Sequence, residues 1–100
     1  MIIHTVLLNL KPETTEDEIK VALDRIRDLQ QVIPGILSVQ IGQNLNHSNN
    51  QGYTYGFVMH FLDREQLKIY ASHPTHILAG KELVRISQSI IDFDIEAEHP

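Results

Sequence analysis

Tyr70-Ala71-Ser72-His73-Pro74-Thr75-His76 gathers a phenol and two imidazoles around a proline. Pro74 disfavours helical geometry at His73 yet is welcome in the first turn of a helix, so the stretch predicts one helix ending and another beginning. Tyr70 then falls in a last turn and His76 in a first turn. The positive end of the second helix is expected to depress the pKa of His76 and keep its imidazole neutral, the state a general base needs. Tyr70 supplies a hydroxyl donor beside it. The same residues also suit a plainer role, with Tyr70 as an amphipathic packing residue and the histidines as caps of helix ends.

The elements on either side of this corner follow from their periodicity. Asp63, with Gln66 at capping-box spacing, starts the first helix and carries Leu67, Tyr70 and Ala71 inward. The second helix runs to about residue 88, with His76, Ala79, Leu83 and Ile86 at core spacing. Gly80 in its middle costs roughly 1 kcal/mol relative to alanine, which points to close approach by a backbone or a ligand. Before this pair, Tyr53–Phe61 reads as a strand with Tyr53, Tyr55, Phe57, Met59 and Phe61 on one face and Thr54, Gly56, Val58 and His60 on the other. After it, residues 90–96 set Ile91, Phe93 and Ile95 against Ile90, Asp92, Asp94 and Glu96, and residues 97–100 read as a frayed tail.

The N-terminal half repeats the scheme. Ile2–Leu10 places Ile2, His4, Val6, Leu8 and Leu10 opposite Ile3, Thr5, Leu7 and Asn9, a strand largely apolar on both faces and so covered on both. Thr15 and Glu18 form a capping box, and Ile19, Ala22, Leu23, Ile26, Leu29 and Ile33 make the apolar stripe of a helix that stops at Pro34-Gly35. Residues 36–42, with Leu37, Val39 and Ile41 alternating with Ser38 and Gln40, read as a half-buried strand near a sheet edge. Residues 43–51 are almost wholly polar and read as a surface loop. The order strand, helix, strand, strand, two helix pieces, strand is that of an α+β, ferredoxin-like split βαβ fold: a four-stranded antiparallel sheet with helices on one face. Residues 1–100 are predicted to form a single domain. Its open sheet face is apolar, so two copies are expected to pair about a two-fold axis and close their sheets into an α/β barrel.

Composition narrows the function classes. With 100 residues, 42% hydrophobic and 21% charged, the chain has the make-up of an ordinary globular domain. Its net charge of −5 opposes a phosphate backbone and excludes nucleic acid as a partner. The absence of cysteine removes disulfides, thiolate chemistry and the usual structural zinc sites. No basic n-region opens the chain and no apolar run nears membrane-spanning length, so no membrane partner and a cytoplasmic location are expected.

His4 and Tyr55, facing the helical layer from central strands, are expected to converge with Tyr70 and His76 on one pocket lined by Val6, Leu8, Phe57 and Leu83. Such a set suits proton abstraction next to a carbonyl, with His76 as base and Tyr70 holding the enolate oxygen. A cavity that does no chemistry uses the same residues. His60 points away from Tyr55, and Asp92 and Asp94 on the last strand read first as a solvated strand end, with orientation of His4 by one of them as the alternative. A metal centre is not expected: His73 and His76 are separated by a helix break, and no acidic residue lies near them in sequence.

His4-Thr5-Val6-Leu7, Ile33-Pro34-Gly35-Ile36, Gly42-Gln43-Asn44, Gly52-Tyr53-Thr54-Tyr55 and, most specific, Tyr70-x-x-His73-Pro74-x-His76 together resemble the stress-responsive dimeric A/B barrel domain (Dabb) family over nearly the whole chain. The resemblance implies a homodimeric α+β barrel. It also implies kinship with a plant polyketide cyclase that works without a cofactor through a Tyr and a His, matching Tyr70 and His76 here. Those enzymes carry a further pocket histidine on the third strand where this chain has Tyr55, a departure from the pattern, so the resemblance does not imply the same substrate. Related barrel dimers include cofactor-independent oxygenases, and other family members have no known activity, so a stress-induced dimer without small-molecule chemistry also fits. The expected site is therefore His76 and Tyr70 as catalytic groups, with His4, Tyr55, Phe57 and His73 contacting a small-molecule ligand and neither cofactor nor metal involved.

Overall fold

The structure, a computed structural model, describes residues 1–97. Four strands and three helices follow in the order β1 (Ile2–Leu10), α1 (Glu16–Val32), β2 (Ile36–Gln43), β3 (Tyr53–Phe61), α2 (Arg64–Ser72), α3 (Pro74–Ile86) and β4 (Ser87–Glu96). The strands form one antiparallel sheet in the order β2-β3-β1-β4, the ferredoxin-like α+β arrangement. Its two central strands, β1 and β3, are the most apolar, because strands flanked on both sides lie furthest from water.

One face of the sheet carries the helices. Val6, Leu8, Met59 and Phe61 point into it and meet Ala22, Ile26 and Leu29 of α1 and Ala79 and Leu83 of α3. The helix α1 begins where its capping box closes, with Glu18 N–H donating to Thr15 Oγ1 at 3.2 Å and Thr15 N–H to Glu18 Oε1 at 3.1 Å. The opposite face has no helix over it. There Ile3, Thr5 and Leu7 pair across to Ile95, Phe93 and Ile91, and those three β4 side chains are 42%, 58% and 42% exposed. Among the described residues no helix is long and apolar enough to cross a membrane.

Three details depart from the sequence expectation. Strand β4 starts at Ser87, earlier than its apolar residues suggest, because Ser87 pairs with Leu10 and the Ile86 carbonyl accepts from Lys11 N–H at 2.8 Å. A neighbouring strand thus overrides the weak strand propensity of Ser87-Gln88-Ser89. In β2 the pairing jumps from Ile36 opposite Phe61 to Ser38 opposite His60, so Leu37 bulges out and is 47% exposed rather than turned inward with Val39 and Ile41. Ala97, expected to fray, donates its N–H to the Met1 carbonyl at 2.8 Å, and the rest of that tail lies outside the described residues.

Gly56 of β3 marks a close approach of two backbones. A Cβ built there would stand 2.6 Å from the Val6 carbonyl oxygen of β1. Gly56→Ala is expected to cost about 1–3 kcal/mol as the central pair is forced apart. Urea titration checks this, as a lower midpoint at unchanged slope.

Candidate active site

The site begins with the register of β1. Alternation puts His4 on the helical side between Ile2 and Val6, where it is only 8% exposed. Cross-strand partners share a face, and the residue opposite His4 on β4 is Asp94. A carboxylate only accepts, so His4 Nδ1–H donates to Asp94 Oδ1 and the ring is held with Nε2 as its free nitrogen. The ring packs edge-on to Phe57 and Phe61, at centroid separations of 6.1 and 6.2 Å.

Tyr70 lies in the last turn of α2, 2% exposed, with its ring 5.1 Å from that of Phe61 and 5.6 Å from that of His4. Its hydroxyl hydrogen-bonds no protein group among the described residues and is not sealed off, for Tyr70 lines a cleft. Burial pushes the phenol well above its ordinary pKa, and the carboxylates of Asp92 and Asp94 push it the same way. Tyr70 is therefore a hydrogen-bond donor and not a phenolate.

At the corner, His73 serves as C-cap of α2 and N-cap of α3, and its Nδ1 accepts from Thr75 N–H at 3.2 Å. One turn on, His76 Nδ1–H donates to the Ala71 carbonyl at 3.2 Å, which leaves Nε2 unprotonated in the neutral ring. The His76 and Tyr70 rings lie 4.1 Å apart at 38°. Burial is the chief cause that pulls the His76 pKa below its ordinary value, opposed by the Ala71 carbonyl and Asp92 and aided by His4 and His73. The expected direction therefore holds, but desolvation rather than the helix N-terminus leads the causes.

His4, Tyr70 and His76 line one half-open cleft of about 490 Å³ between the sheet and α2–α3, within the usual size of ligand sites. Val6, Ile26, Phe57 and Leu83 give it apolar walls, and Asp92 and Asp94 stand at its β4 side. Phe57 lines it as the sequence suggested, but Tyr55 and His73 do not. Tyr55 pairs with Leu8, four residues along β1 from His4, which at ~3.3 Å per residue carries it to the far end of the sheet. There it borders a separate groove with Ile19 and Leu23 of α1, and its hydroxyl accepts from Gln43 Nε2 at 2.8 Å. His73 is occupied as a cap because Pro74 places it outside both helices with its ring folded back on Thr75. His60 points to the open face and hydrogen-bonds Ser38 Oγ at 2.8 Å.

For Asp94 it is the alternative reading, orientation of His4, that the structure shows, rather than a merely solvated strand end. The signal was the antiparallel neighbouring of the first and last strands, which sets an acid directly opposite His4. Among the described residues no group of three or more histidines and acids gathers where it could hold a metal ion. What converges is a neutral imidazole with a free nitrogen, an un-ionised phenol and a second imidazole oriented by a carboxylate. That set can take a proton from carbon and hold the oxygen on which charge collects.

Known proteins resemble this chain in sequence and fold. Olivetolic acid cyclase of Cannabis sativa is 26% identical over 92 residues, covering 91% of each chain. A dimeric ferredoxin-like protein of unknown function from Jannaschia is 32% identical with a TM-score of 0.87, over 96% of this chain and 98% of that one. A hydroxynitrile lyase from Passiflora edulis shares the fold, at 17% identity and a TM-score of 0.88 over 99% of this chain and 96% of that one. The sequence profile of the Stress responsive A/B Barrel Domain matches residues 2–97. By that match, which spans almost its whole length, the chain belongs to the stress responsive A/B barrel domain family.

Proposed function

We propose that this protein is a homodimer whose subunits each bind a small carbonyl compound and act on it by acid–base chemistry without a cofactor. The observation that carries the reading is the Tyr70 hydroxyl, without a hydrogen-bond partner among the described residues and beside a neutral His76, in a cleft large enough for a ligand. His76 Nε2 takes a proton from the carbon next to the carbonyl, the C–H pair moves into the enolate, and the Tyr70 hydroxyl donates to the enolate oxygen. The enolate carbon then attacks a second carbonyl of the same molecule, and the protonated His76 returns its proton to the new alkoxide. A poly-β-keto chain presents both carbonyls at a suitable spacing. Similarity to olivetolic acid cyclase supports this substrate class.

Pairing of two copies is supported by the uncovered apolar face around Phe93 and by the Jannaschia relative, described as dimeric. The test is a panel of small aromatic ketones and poly-β-keto compounds, scored by ligand-induced melting shifts and by turnover. Tyr70→Phe removes only the oxyanion donor and is expected to lower turnover about 100-fold with the fold intact. Full turnover in that variant would remove Tyr70 from the reaction, and a wild-type protein that neither binds nor turns over any such compound would leave the non-catalytic dimer as the better reading.

A further inference from the structure

Gly80 sits in the middle of α3, lines the cleft, and faces the same way as His76 one turn earlier. Glycine inside a helix is disfavoured, and three conditions explain its presence: a left-handed backbone, a close-packed neighbour, or room needed for something else. The first is absent, since Gly52 is the glycine with positive φ among the described residues. The second is absent too. A Cβ built on Gly80 meets nothing within 4 Å beyond its own helix backbone.

The third condition remains, and the surroundings say what the room holds. Along the cleft side of α3 run His76, Gly80, Leu83 and Val84, so the glycine is a notch between the proposed base and an apolar wall. Phe57 and Ile26 border the same cleft. A bare peptide backbone flanked by aliphatic side chains accepts a flat apolar group closely, whereas any side chain there would hold it away from His76.

We infer that Gly80 is a specificity-determining residue: its missing side chain seats the planar, apolar part of the ligand, an aryl ring or conjugated acyl chain, one helical turn from His76. This rests on the reading of the cleft given above and adds to it the shape of the molecule and the residue that selects it.

The experiment uses the full chain, isotope-labelled, with 4-hydroxyacetophenone as a neutral planar aryl ketone. Gly80→Ala is expected to raise the melting temperature without ligand by about 4–8 °C, because the helix gains where the fold needed no glycine. Titration is expected to shift both the Gly80 amide and the His76 ring resonances of the wild type. In Gly80→Leu the His76 response should weaken at least tenfold while the rest of the spectrum is kept. A Gly80→Ala protein no more stable than wild type would show that the fold itself requires glycine and overturn the inference. So would a probe that shifts His76 but not Gly80, an outcome that leaves the acid–base reading of His76 standing. A probe that shifts Gly80 and is excluded by Gly80→Leu, with no turnover found for any ketone, sustains the inference and removes the catalytic reading.

Discussion

Phe93→Asp is expected to yield a folded monomer. Phe93 is 58% exposed on a face with no helix above it, with Ile91 and Ile95 on either side and Thr5 across from it on β1. A two-fold pairing brings each such residue into the interface twice, so one substitution buries two carboxylates in an apolar layer to which the four strands contribute no lysine or arginine. The dissociation constant should rise by roughly 10³-fold or more on that ground. Because the side chain lies outside the subunit core, helical content and the cleft should persist. Analytical ultracentrifugation gives the answer: a monomeric wild type, or a variant as firmly dimeric as its parent, would place the subunit contact elsewhere.

His76→Ala is expected to lower turnover by about 10² to 10⁴, the usual contribution of a positioned general base, with little effect on ligand affinity. The pH dependence carries a sign that can be checked beforehand. Burial favours the neutral ring, so the folded-state pKa lies below the ordinary value and the base is fully available at neutral pH. Turnover should be flat near pH 7 and fall on acidification through that depressed pKa. Stability follows the same direction. The unfolded chain binds the proton more readily, so this histidine stabilises the fold above its unfolded pKa of about 6.5 and loses that contribution as pH falls through the folded value. His76→Ala should flatten both trends, and a variant that keeps the acid limb of the wild-type rate profile would show that another group is the base.

The fold was legible where the local signals agreed. The Thr15–Glu18 capping box, the two-sided apolar run of β1 and the helix break at Pro74 each specify an element without reference to the rest of the chain. Boundaries failed where a distant strand decided them, as at Ser87, whose strand state depends on pairing with Leu10. Faces failed at the Leu37 bulge, since a one-residue insertion reverses the alternation on which the reading depends. Within the cleft, the neighbouring of Tyr70 and His76 could be read because both lie in one seven-residue stretch, whereas the places of Tyr55 and Asp94 could not be fixed. Their places depend on register across three strands, and the four-residue offset between His4 and Leu8, the partner of Tyr55, spans about 13 Å at ~3.3 Å per residue. His73 could not be placed for a different reason: a histidine beside a helix break suits a cap or a cleft wall equally, and its hydrogen bond to Thr75 marks it as a cap.

That cap has a mechanical side. Because one residue closes α2 and opens α3, no slack chain lies between the segment bearing the phenol and the segment bearing the imidazole. The two rings then behave as a fixed jaw, whose gape is set by a capping side chain that does not line the cleft. On the proposed acid–base function, loosening that hinge should blunt the reaction while leaving every reacting group in place.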